Sequence, residues 1–201
     1  PFNMFLRITL EGNCMYKLLT VKEEVRVPPT KFDLDVNESI LQSLATQVEG
    51  KLDPEIGVFM AVTEIIDIGE GKIIPEDGAI FYNTTFKVLT FVPELNEVLP
   101  GQIVDVTEFG AFARIGPVDA LVHNSQLMDD KVSFNPKMQV FVGKKTGRKL
   151  EKDELIRARI VGVSLGKGGR SKISLTMRQP TLGTVDWIDK DKRASRKESK
   201  K

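Results

Sequence analysis

The sequence contains very few of the residues that bind metals or form disulfides. It has one cysteine, Cys14, and one histidine, His123. A single cysteine cannot form a disulfide within the chain, and one cysteine with one histidine cannot complete an ordinary zinc site. The sequence also lacks any run that approaches the roughly 18 consecutive apolar residues of a membrane span. We therefore expect no metal, no cofactor and no membrane contact, and a soluble cytoplasmic protein.

The same scarcity argues against catalysis. Acid–base and nucleophilic mechanisms need a titratable group paired with a second group within hydrogen-bond reach. The sequence has a single histidine, no cysteine in the region that we expect to fold, and no pair of carboxylates in an apolar setting. We predict that the chain has no catalytic residue, and that any catalysis belongs to an assembly that contains it.

Charges of the two signs are shared unequally between the halves of the chain. Residues 15–98 carry 7 Lys and Arg against 15 Asp and Glu, residues 99–182 carry 14 against 8, and residues 183–201 carry 7 against 4. The net charge of +1 therefore conceals an acidic half and a basic half. A basic surface attracts phosphate by releasing counterions, and an acidic surface repels it. The sequence predicts that the second half meets nucleic acid and that the first half meets protein.

Proline and polar residues predict where the chain divides. Pro93 and Pro100 bracket a short polar segment, which indicates a boundary near residues 92–101. We expect four parts, namely an N-terminal extension that we leave out of the fold, a first domain, a second domain and a C-terminal segment, over residues 1–14, 15–97, 98–182 and 183–201.

The C-terminal segment ends in a run of basic and polar residues from Lys190 to Lys201. This composition has too few apolar side chains to order itself alone. The run is either an arm that binds nucleic acid or a tail that adds solubility, and the second interpretation is somewhat favoured. Trp187, just before the run, is expected to anchor the segment by packing.

The first domain is predicted to be an antiparallel sheet with one main helix, an α+β arrangement. Leu19, Val21, Val25 and Val27 alternate with polar residues as in a half-buried strand, and Glu23 is the one interruption. Two longer strands follow after the helix, over residues 58–68 and 80–92. The first of them is apolar on both faces, which predicts a central strand covered on both sides.

The predicted helix lies between the first strand and these two. Asn37 is suited to be its N-cap, and Gly50 is suited to end it. A stripe of apolar residues at helical spacing marks its buried face, formed by Ile40, Leu41, Leu44, Ala45 and Val48.

Residues 69–78, between the two longer strands, are rich in glycine and other turn residues and predict a loop. The loop nevertheless contains Ile73 and Ile74. An apolar pair in a loop is either tucked beneath it or offered to a partner, and we weigh these two interpretations equally.

Four segments of the second half share one pattern, with apolar residues on one strand parity and aromatic or basic residues on the other. Ala111 and Ala113, for example, alternate with Phe112 and Arg114. The pattern predicts a small closed β-barrel, with a packed interior and with rings and cations outside. The four segments are residues 101–115, 119–127, 155–163 and 172–178.

Four further cations are expected on a loop or hairpin at the rim of the barrel. There they either contact phosphate or only add solubility. They are Lys144, Lys145, Arg148 and Lys149.

The run GQIVDVTEFGAFARI at residues 101–115, continued by LVHNSQL at residues 121–127, resembles an S1-type RNA-binding OB fold. This resemblance implies an all-β domain whose barrel has five strands. Shorter runs over residues 15–188 are similar to the large stalk subunit of archaeal DNA-directed RNA polymerase, the counterpart of the seventh subunit of eukaryotic polymerase II. These runs are MYKL at residues 15–18, VRVPP at 25–29, GEGKIIPEDG at 69–78 and LTMRQP at 175–180.

The resemblance implies a non-catalytic stalk subunit. Its acidic tip domain would dock on the polymerase core, a small stalk subunit would join it as a heterodimer, and the S1-type barrel would bind nascent single-stranded RNA. The docking residues implied are Gly69, Gly71, Ile73, Ile74 and Pro75. The RNA-binding residues implied are Phe109, Phe112, His123, Lys172 and Arg178, to which strand parity adds Arg114, Arg157 and Arg159. Of these, His123 would more often be a structural histidine, and only its position in the motif favours a contact with RNA.

Two other functions fit parts of the pattern. An S1 module also occurs in factors of translation initiation and in components of the RNA exosome, against which the tip-domain motifs argue. A third possibility is a structural protein of an assembly whose basic barrel never touches RNA. Co-purification with large polymerase subunits or with ribosomes would separate these functions.

Overall fold

The computed structural model describes residues 15–74, 77–166 and 171–198. The predicted N-terminal extension, residues 1–14, lies outside the described residues. The described residues divide into two compact units, the first ending at Val92 and the second beginning at Pro93.

The first unit is a four-stranded antiparallel sheet with one α-helix, which confirms the predicted α+β arrangement. The sheet has the strand order β1-β4-β3-β2. Its elements are β1 (Tyr16–Val27), α1 (Val36–Val48), β2 (Leu52–Asp53), β3 (Gly57–Ile73) and β4 (Ile80–Phe91).

The core of this unit lies between α1 and one face of the sheet. The inward row of β1 and the buried residues of α1 pack with Phe86 and Val88 of β4. Glu23 occupies an inward position of β1, and burial raises the pKa of its carboxyl group while nearby Lys51 opposes that rise. The inward residues of β1 and α1 are Leu19, Val21, Val25, Val27, Ile40, Leu44 and Val48.

The N-cap of the helix lies two residues before the predicted one. Asp35 is the N-cap and its carboxylate accepts a hydrogen bond of 3.1 Å from the backbone N–H of Asn37, which lies inside α1. A carboxylate suits this position because the helix dipole favours negative charge at the N-terminus. Gly50, with φ +77°, directly follows the C-cap. Leu41 was predicted on the buried stripe and is instead 41% exposed.

The prediction that residues 58–68 form the central strand was wrong. β4 is central, with β1 on one side and β3 on the other. The only strand on the outer side of β3 in the described residues is β2, which pairs with Val58 and Gly57 alone. Ile66 is accordingly 50% exposed. Strand order depends on pairing between distant segments, and hydrophobic content alone does not distinguish a central strand from an edge strand.

The loop before β4 is shorter than predicted, because β3 continues through Gly69 and Gly71 to Ile73. A Cβ atom at Gly71 would lie 2.7 Å from the ring of Tyr82, and one at Gly69 would lie 2.9 Å from the carbonyl oxygen of Asn83. These glycines therefore allow β3 to approach β4 closely at a bulge instead of turning the chain. Ile74 lies in the remaining loop, and Pro75 lies outside the described residues.

The second unit contains a closed barrel of five strands, as predicted. The strands follow the order β12-β7-β6-β5-β11, and the pairing of β11 with β12 closes the barrel. All pairs are antiparallel except β12 with β7. The five strands are β5 (Val98–Thr107), β6 (Gly110–Ile115), β7 (Val118–His123), β11 (Leu155–Leu165) and β12 (Ser171–Thr176).

A small antiparallel sheet is inserted between β7 and β11. It consists of β8 (Val132–Asn135), β9 (Val140–Gly143) and β10 (Lys149–Leu150). The loop between β9 and β10, residues 144–148, and the first residue of β10 together contain the four cations predicted on a rim loop. We call residues 144–149 the basic loop.

Residues 190–198 of the basic C-terminal run belong to a helix, and the rest of the run lies outside the described residues. After the short strand β13 (Gly183–Thr184), helix α2 extends over Val185–Glu198. Trp187 is the predicted anchor, since it is only 5% exposed and the Arg148 guanidinium lies 5.6 Å from its ring centroid. Neither α-helix of the described residues is long and apolar enough to cross a membrane.

Candidate nucleic-acid interface and docking loop

Two phenylalanine rings stand on the outer wall of the barrel where β5 turns into β6. Phe109 lies in the turn and is 47% exposed, while Phe112 lies in β6. Ala111 and Ala113, on either side of Phe112, are fully buried, so strand alternation directs the Phe112 ring outward. The two ring centroids are 5.9 Å apart and the ring planes meet at 88°. This edge-to-face pair can receive a stacked base.

Gly110, which lies between these rings in the sequence, is required by the close approach of β6 to β7. A Cβ atom at Gly110 would lie 2.3 Å from the carbonyl oxygen of Val122. No side chain fits in that space, so β6 can begin against β7 only with glycine at this position. The Phe-Gly-Ala-Phe sequence therefore combines a backbone requirement with two outward rings.

His123 ends β7 directly opposite Gly110. Its imidazole is exposed, and Nδ1 accepts a hydrogen bond of 3.3 Å from the backbone N–H of Ser125 while lying 2.9 Å from the Ser125 hydroxyl. The ring thus caps the 3₁₀ turn Asn124–Gln126. The backbone N–H of Asn124 donates to the carbonyl of Phe109 at 3.0 Å, so this turn is tied to the ring pair. His123 has a structural role and also lies next to the rings.

Two of the predicted RNA-binding cations already have carboxylate partners. Arg114 donates to Asp119, its cross-strand neighbour, at 2.9 Å, and this hydrogen bond raises the pKa of Arg114. Arg178 donates to Asp129, also at 2.9 Å. Asp119 faces Arg114 across a tight turn and was recognisable in the sequence, whereas the partnership of Arg178 with Asp129 has no sequence signal.

The outer face of β6, β7 and β12 brings several predicted residues together. Phe112 is paired with Leu121 of β7, and Leu121 is paired with Ser174 of β12. If this register is continued by two residues, Lys172 is level with Asp119. Lys172 is exposed. We call the surface formed by Phe109, Phe112, Leu121, His123 and Lys172 the ring face.

Arg157 and Arg159 lie on a different part of the barrel wall. Both belong to β11, where Arg157 is paired with Pro100 of β5 and Arg159 with Thr176 of β12. Arg157 is exposed, whereas Arg159 is half-buried and its Nε atom has no hydrogen-bond partner among the described residues. β5 lies between β11 and β6, so neither arginine neighbours Phe112, although β11 is also paired with β12, the strand that carries Lys172.

The loop before β4 exposes its apolar pair. Ile73 is 71% and Ile74 is 45% exposed, so neither side chain is tucked beneath the loop. Asp77 accepts a hydrogen bond of 2.8 Å from Nε of Arg26, which ties the loop to β1 and lowers the pKa of the Asp77 carboxyl group. Ile73 is paired with Ile80, and Ile80 with Val27, so the two isoleucines lie at the end of the sheet where β1 ends.

A cavity of about 190 Å³ opens at this same end of the sheet. Val27 and Ile80 line it together with the exposed side chains of Phe32, Leu34 and Val36. Sequence analysis did not single out these last three residues, because their apolar side chains are spaced irregularly between β1 and α1. The end of the sheet thus combines a cavity with several exposed apolar side chains.

Family comparisons agree with the two units. A model described as the SHS2 domain found in the N terminus of Rpb7p and Rpc25p matches residues 22–78. The S1 RNA binding domain model matches residues 92–178. The fold and the matches together define a protein that joins an SHS2 domain to an S1 RNA-binding domain.

Curated relatives narrow this class. The DNA-directed RNA polymerase subunit Rpo7 of Saccharolobus shibatae is 35% identical over 180 residues, which cover 89% of this chain and 100% of that protein. RNA polymerase II subunit rpb7 of Dictyostelium discoideum is 27% identical, over 85% of this chain and 99% of that protein. The apo form of Mycoplasma genitalium RNase R covers 40% of this chain and 13% of its own at 23% identity, with a TM-score of 0.36, a likeness too slight to bear on function.

The chain belongs to the family of Rpo7 and its eukaryotic counterparts, the large stalk subunits of DNA-directed RNA polymerases. Members of this family are non-catalytic parts of a polymerase complex.

Proposed function

We propose that the chain binds nascent single-stranded RNA through the ring face during transcription, as a stalk subunit attached to the polymerase core in the cytoplasm. The observation that carries the RNA-binding role is the edge-to-face pair of Phe109 and Phe112 on the outside of an S1-type barrel. A base stacked on such a ring contributes about 1 to 3 kcal/mol with little dependence on base identity. Binding should therefore have weak sequence preference and strong dependence on salt.

The substitution Phe112→Ala tests this role. It removes one ring of the stacking pair from an outward position, so we expect binding of a labelled single-stranded RNA to weaken by about 5-fold to 150-fold, the equivalent of 1 to 3 kcal/mol. Fluorescence anisotropy titrations give the affinity, and circular dichroism checks that the barrel remains folded. Leu155→Ala, at an exposed position of β11, is the matched control. Equal affinity of the Phe112→Ala protein and the control for RNA would refute the ring-face proposal.

Attachment to the polymerase core is assigned to the acidic unit. The support is the apolar end of the sheet, where Ile73 and Ile74 stand exposed beside the cavity. An exposed apolar cluster of this kind marks a protein interaction site more often than a solvated surface. Gly69 and Gly71, which are also predicted to dock, lie in β3 at its bulge against β4, and their part in docking stays a prediction.

A small stalk subunit is the second proposed partner. The outer edge of β3 beyond its short pairing with β2 has no further strand partner among the described residues, and Ile66 is exposed there. An open strand edge is a surface to which a partner chain can add a strand. This edge is the region in which we expect the heterodimer contact.

A further inference from the structure

The basic loop extends the RNA-binding surface beyond the rings, and this inference rests on the proposed RNA-binding function. The starting observation is that the ring face has little unpaired positive charge. Arg114 is paired with Asp119 and Arg178 with Asp129, which leaves Lys172 as its unpaired cation within the described residues. Attraction of an RNA backbone needs cations whose counterions can be released. Those cations must come largely from another surface.

The basic loop supplies such cations. Lys144, Lys145 and Lys149 are exposed, and within the described residues their ammonium groups form no ion pair. Arg148 differs, because it is held by Asp191 of α2 and lies over the ring of Trp187. The loop therefore projects three lysines outward while its arginine fixes it to the C-terminal helix.

Hydrogen bonds to Asp130 and Lys131, the two residues before β8, support the backbone of the loop. One carboxylate oxygen of Asp130 accepts hydrogen bonds from the backbone N–H of Lys145 at 2.7 Å, from the backbone N–H of Thr146 at 2.9 Å and from the Thr146 hydroxyl at 3.1 Å. The backbone N–H of Lys144 donates to the carbonyl of Lys131 at 2.9 Å. Asp130 therefore bonds the backbone of the loop, and within the described residues it forms no ion pair with a lysine ammonium group.

The turn also packs closely against the segment that supports it. A Cβ atom at Gly143 would lie 2.6 Å from the Thr146 hydroxyl oxygen, 2.8 Å from the Met128 sulfur and 2.9 Å from the Asp130 carboxylate. Thr146 thus closes over Gly143 with no free space between them. The backbone that carries Lys144 and Lys145 is thus hydrogen-bonded and packed before RNA binds, and such preorganisation reduces the entropy lost on binding phosphate.

Consecutive residues connect this loop to the ring face. Asp129 is bonded to Arg178, and the next residue, Asp130, is bonded to the basic loop. The same segment begins at the 3₁₀ turn that His123 caps. The backbone N–H of Met177 also donates to the carbonyl of Gln126 in that turn at 2.8 Å, so a chain of contacts runs from His123 through Arg178 and Asp130 to the basic loop.

We propose that Lys144 and Lys145 of the basic loop form a preorganised phosphate-binding site for the single-stranded RNA whose bases stack on the ring face. The rings then contribute affinity that does not depend on salt, and the loop contributes most of the salt dependence.

The test compares two double variants of the full chain with equal loss of charge. Lys144→Gln with Lys145→Gln neutralises the loop, and Lys22→Gln with Lys72→Gln neutralises two exposed lysines of the acidic unit. Anisotropy titrations of a labelled oligouridylate over a series of KCl concentrations give the slope of log K against log[KCl]. For single strands each phosphate contact contributes a slope of about −0.7, so we expect the loop variant to have a slope shallower by about 1.4.

The other proteins in the same titration distinguish failure of the basic-loop site from failure of the proposed RNA-binding function. We expect the control variant to keep the slope of the unmodified protein, and Phe112→Ala to weaken binding with the slope unchanged. If the unmodified protein binds no RNA, the proposed function itself is wrong. If it binds RNA and the loop variant has the same slope as the control, the basic loop contacts no phosphate and the inference is overturned.

Discussion

At the scale of single residues, close packing explains the residue type or the side-chain direction at several positions of the S1-like sequence. Position 110 must be glycine, because a Cβ atom there would lie only 2.3 Å from the carbonyl oxygen of Val122. Phe112 points outward because its neighbours fill the barrel. Alternation in the sequence was enough to predict the direction of Phe112. It could not predict that Arg178 is paired with Asp129, because that pair joins residues 49 positions apart.

Asp130 provides a prediction at this scale. Hydrogen bonds from the backbone of Thr146 and Lys145 lower the pKa of its carboxyl group. A lowered pKa in the folded state means that the carboxylate stabilises the basic loop above the ordinary Asp range, and that this stabilisation is lost as the pH falls through the lowered pKa. We expect Asp130→Asn to reduce the protection of the Lys145 and Thr146 amides against hydrogen exchange several-fold at neutral pH.

The pH series gives the sharper result. After correction for intrinsic exchange, the difference between the unmodified protein and Asp130→Asn should close as the Asp130 carboxylate is protonated. Asp129→Asn, the adjacent substitution, breaks the pair with Arg178 and should leave these two amides protected. A difference between Asp130→Asn and the unmodified protein that stays constant down to strongly acidic pH would contradict this explanation.

At the scale of elements, helix α2 shows how a mostly charged segment forms a helix through tertiary contacts. Most of its residues are polar or charged. Of its three large apolar residues, Trp187 and Ile188 are buried and Val185 is exposed. Gly183, with φ +120°, brings the chain so close to Trp187 that a Cβ atom would lie 2.7 Å from the ring. Arg148 covers the same ring from the basic loop. The helix is therefore stabilised by contacts with residues far away in the sequence, which composition cannot reveal.

Removal of the anchor should release the helix. Trp187→Ala deletes the buried ring, a class of substitution that costs about 3 to 5 kcal/mol in a packed core. Because α2 has little other apolar burial, we expect it to unfold locally while the barrel remains folded. Far-UV circular dichroism should lose helical signal, and limited proteolysis should cut within residues 185–198. Val185→Ala, at an exposed position of the same helix, should change neither result. Full helical signal and proteolytic resistance in the Trp187→Ala protein would show that the ring is not the anchor.

At the scale of the whole molecule, an acidic unit and a basic unit divide the proposed tasks. This division predicts that attachment to the polymerase can be lost without loss of RNA binding. Ile73→Asp with Ile74→Asp places two carboxylates at the exposed apolar end of the first sheet. We expect the double variant to stop co-migrating with the polymerase core in size-exclusion chromatography and to keep its affinity for RNA.

The control for attachment is Leu18→Asp, which adds a charge at an exposed position of β1 away from the loop. It should remain bound to the core. Co-migration of the Ile73→Asp, Ile74→Asp protein with the core would remove the docking role from this end of the sheet. Loss of RNA binding in the same variant would show that the two tasks are not separate.

The sequence by itself determined the local features of this protein. Alternation placed the inward row of β1 and the outward ring of Phe112, and the unequal charge of the two halves was visible from composition. These features depend on neighbours a few residues apart, and side-chain direction in a strand follows directly from its backbone geometry.

Only the tertiary structure decided the order of strands and the partners of charged groups. It left most of β3 without an outer neighbour, separated Arg157 and Arg159 from Phe112, paired Arg178 with Asp129, and ordered α2 against Arg148. Each of these outcomes depends on segments that are distant in sequence and meet only when the barrel or sheet closes. The hydrophobic pattern states which side of a strand is buried, and it does not state which strand lies beside it.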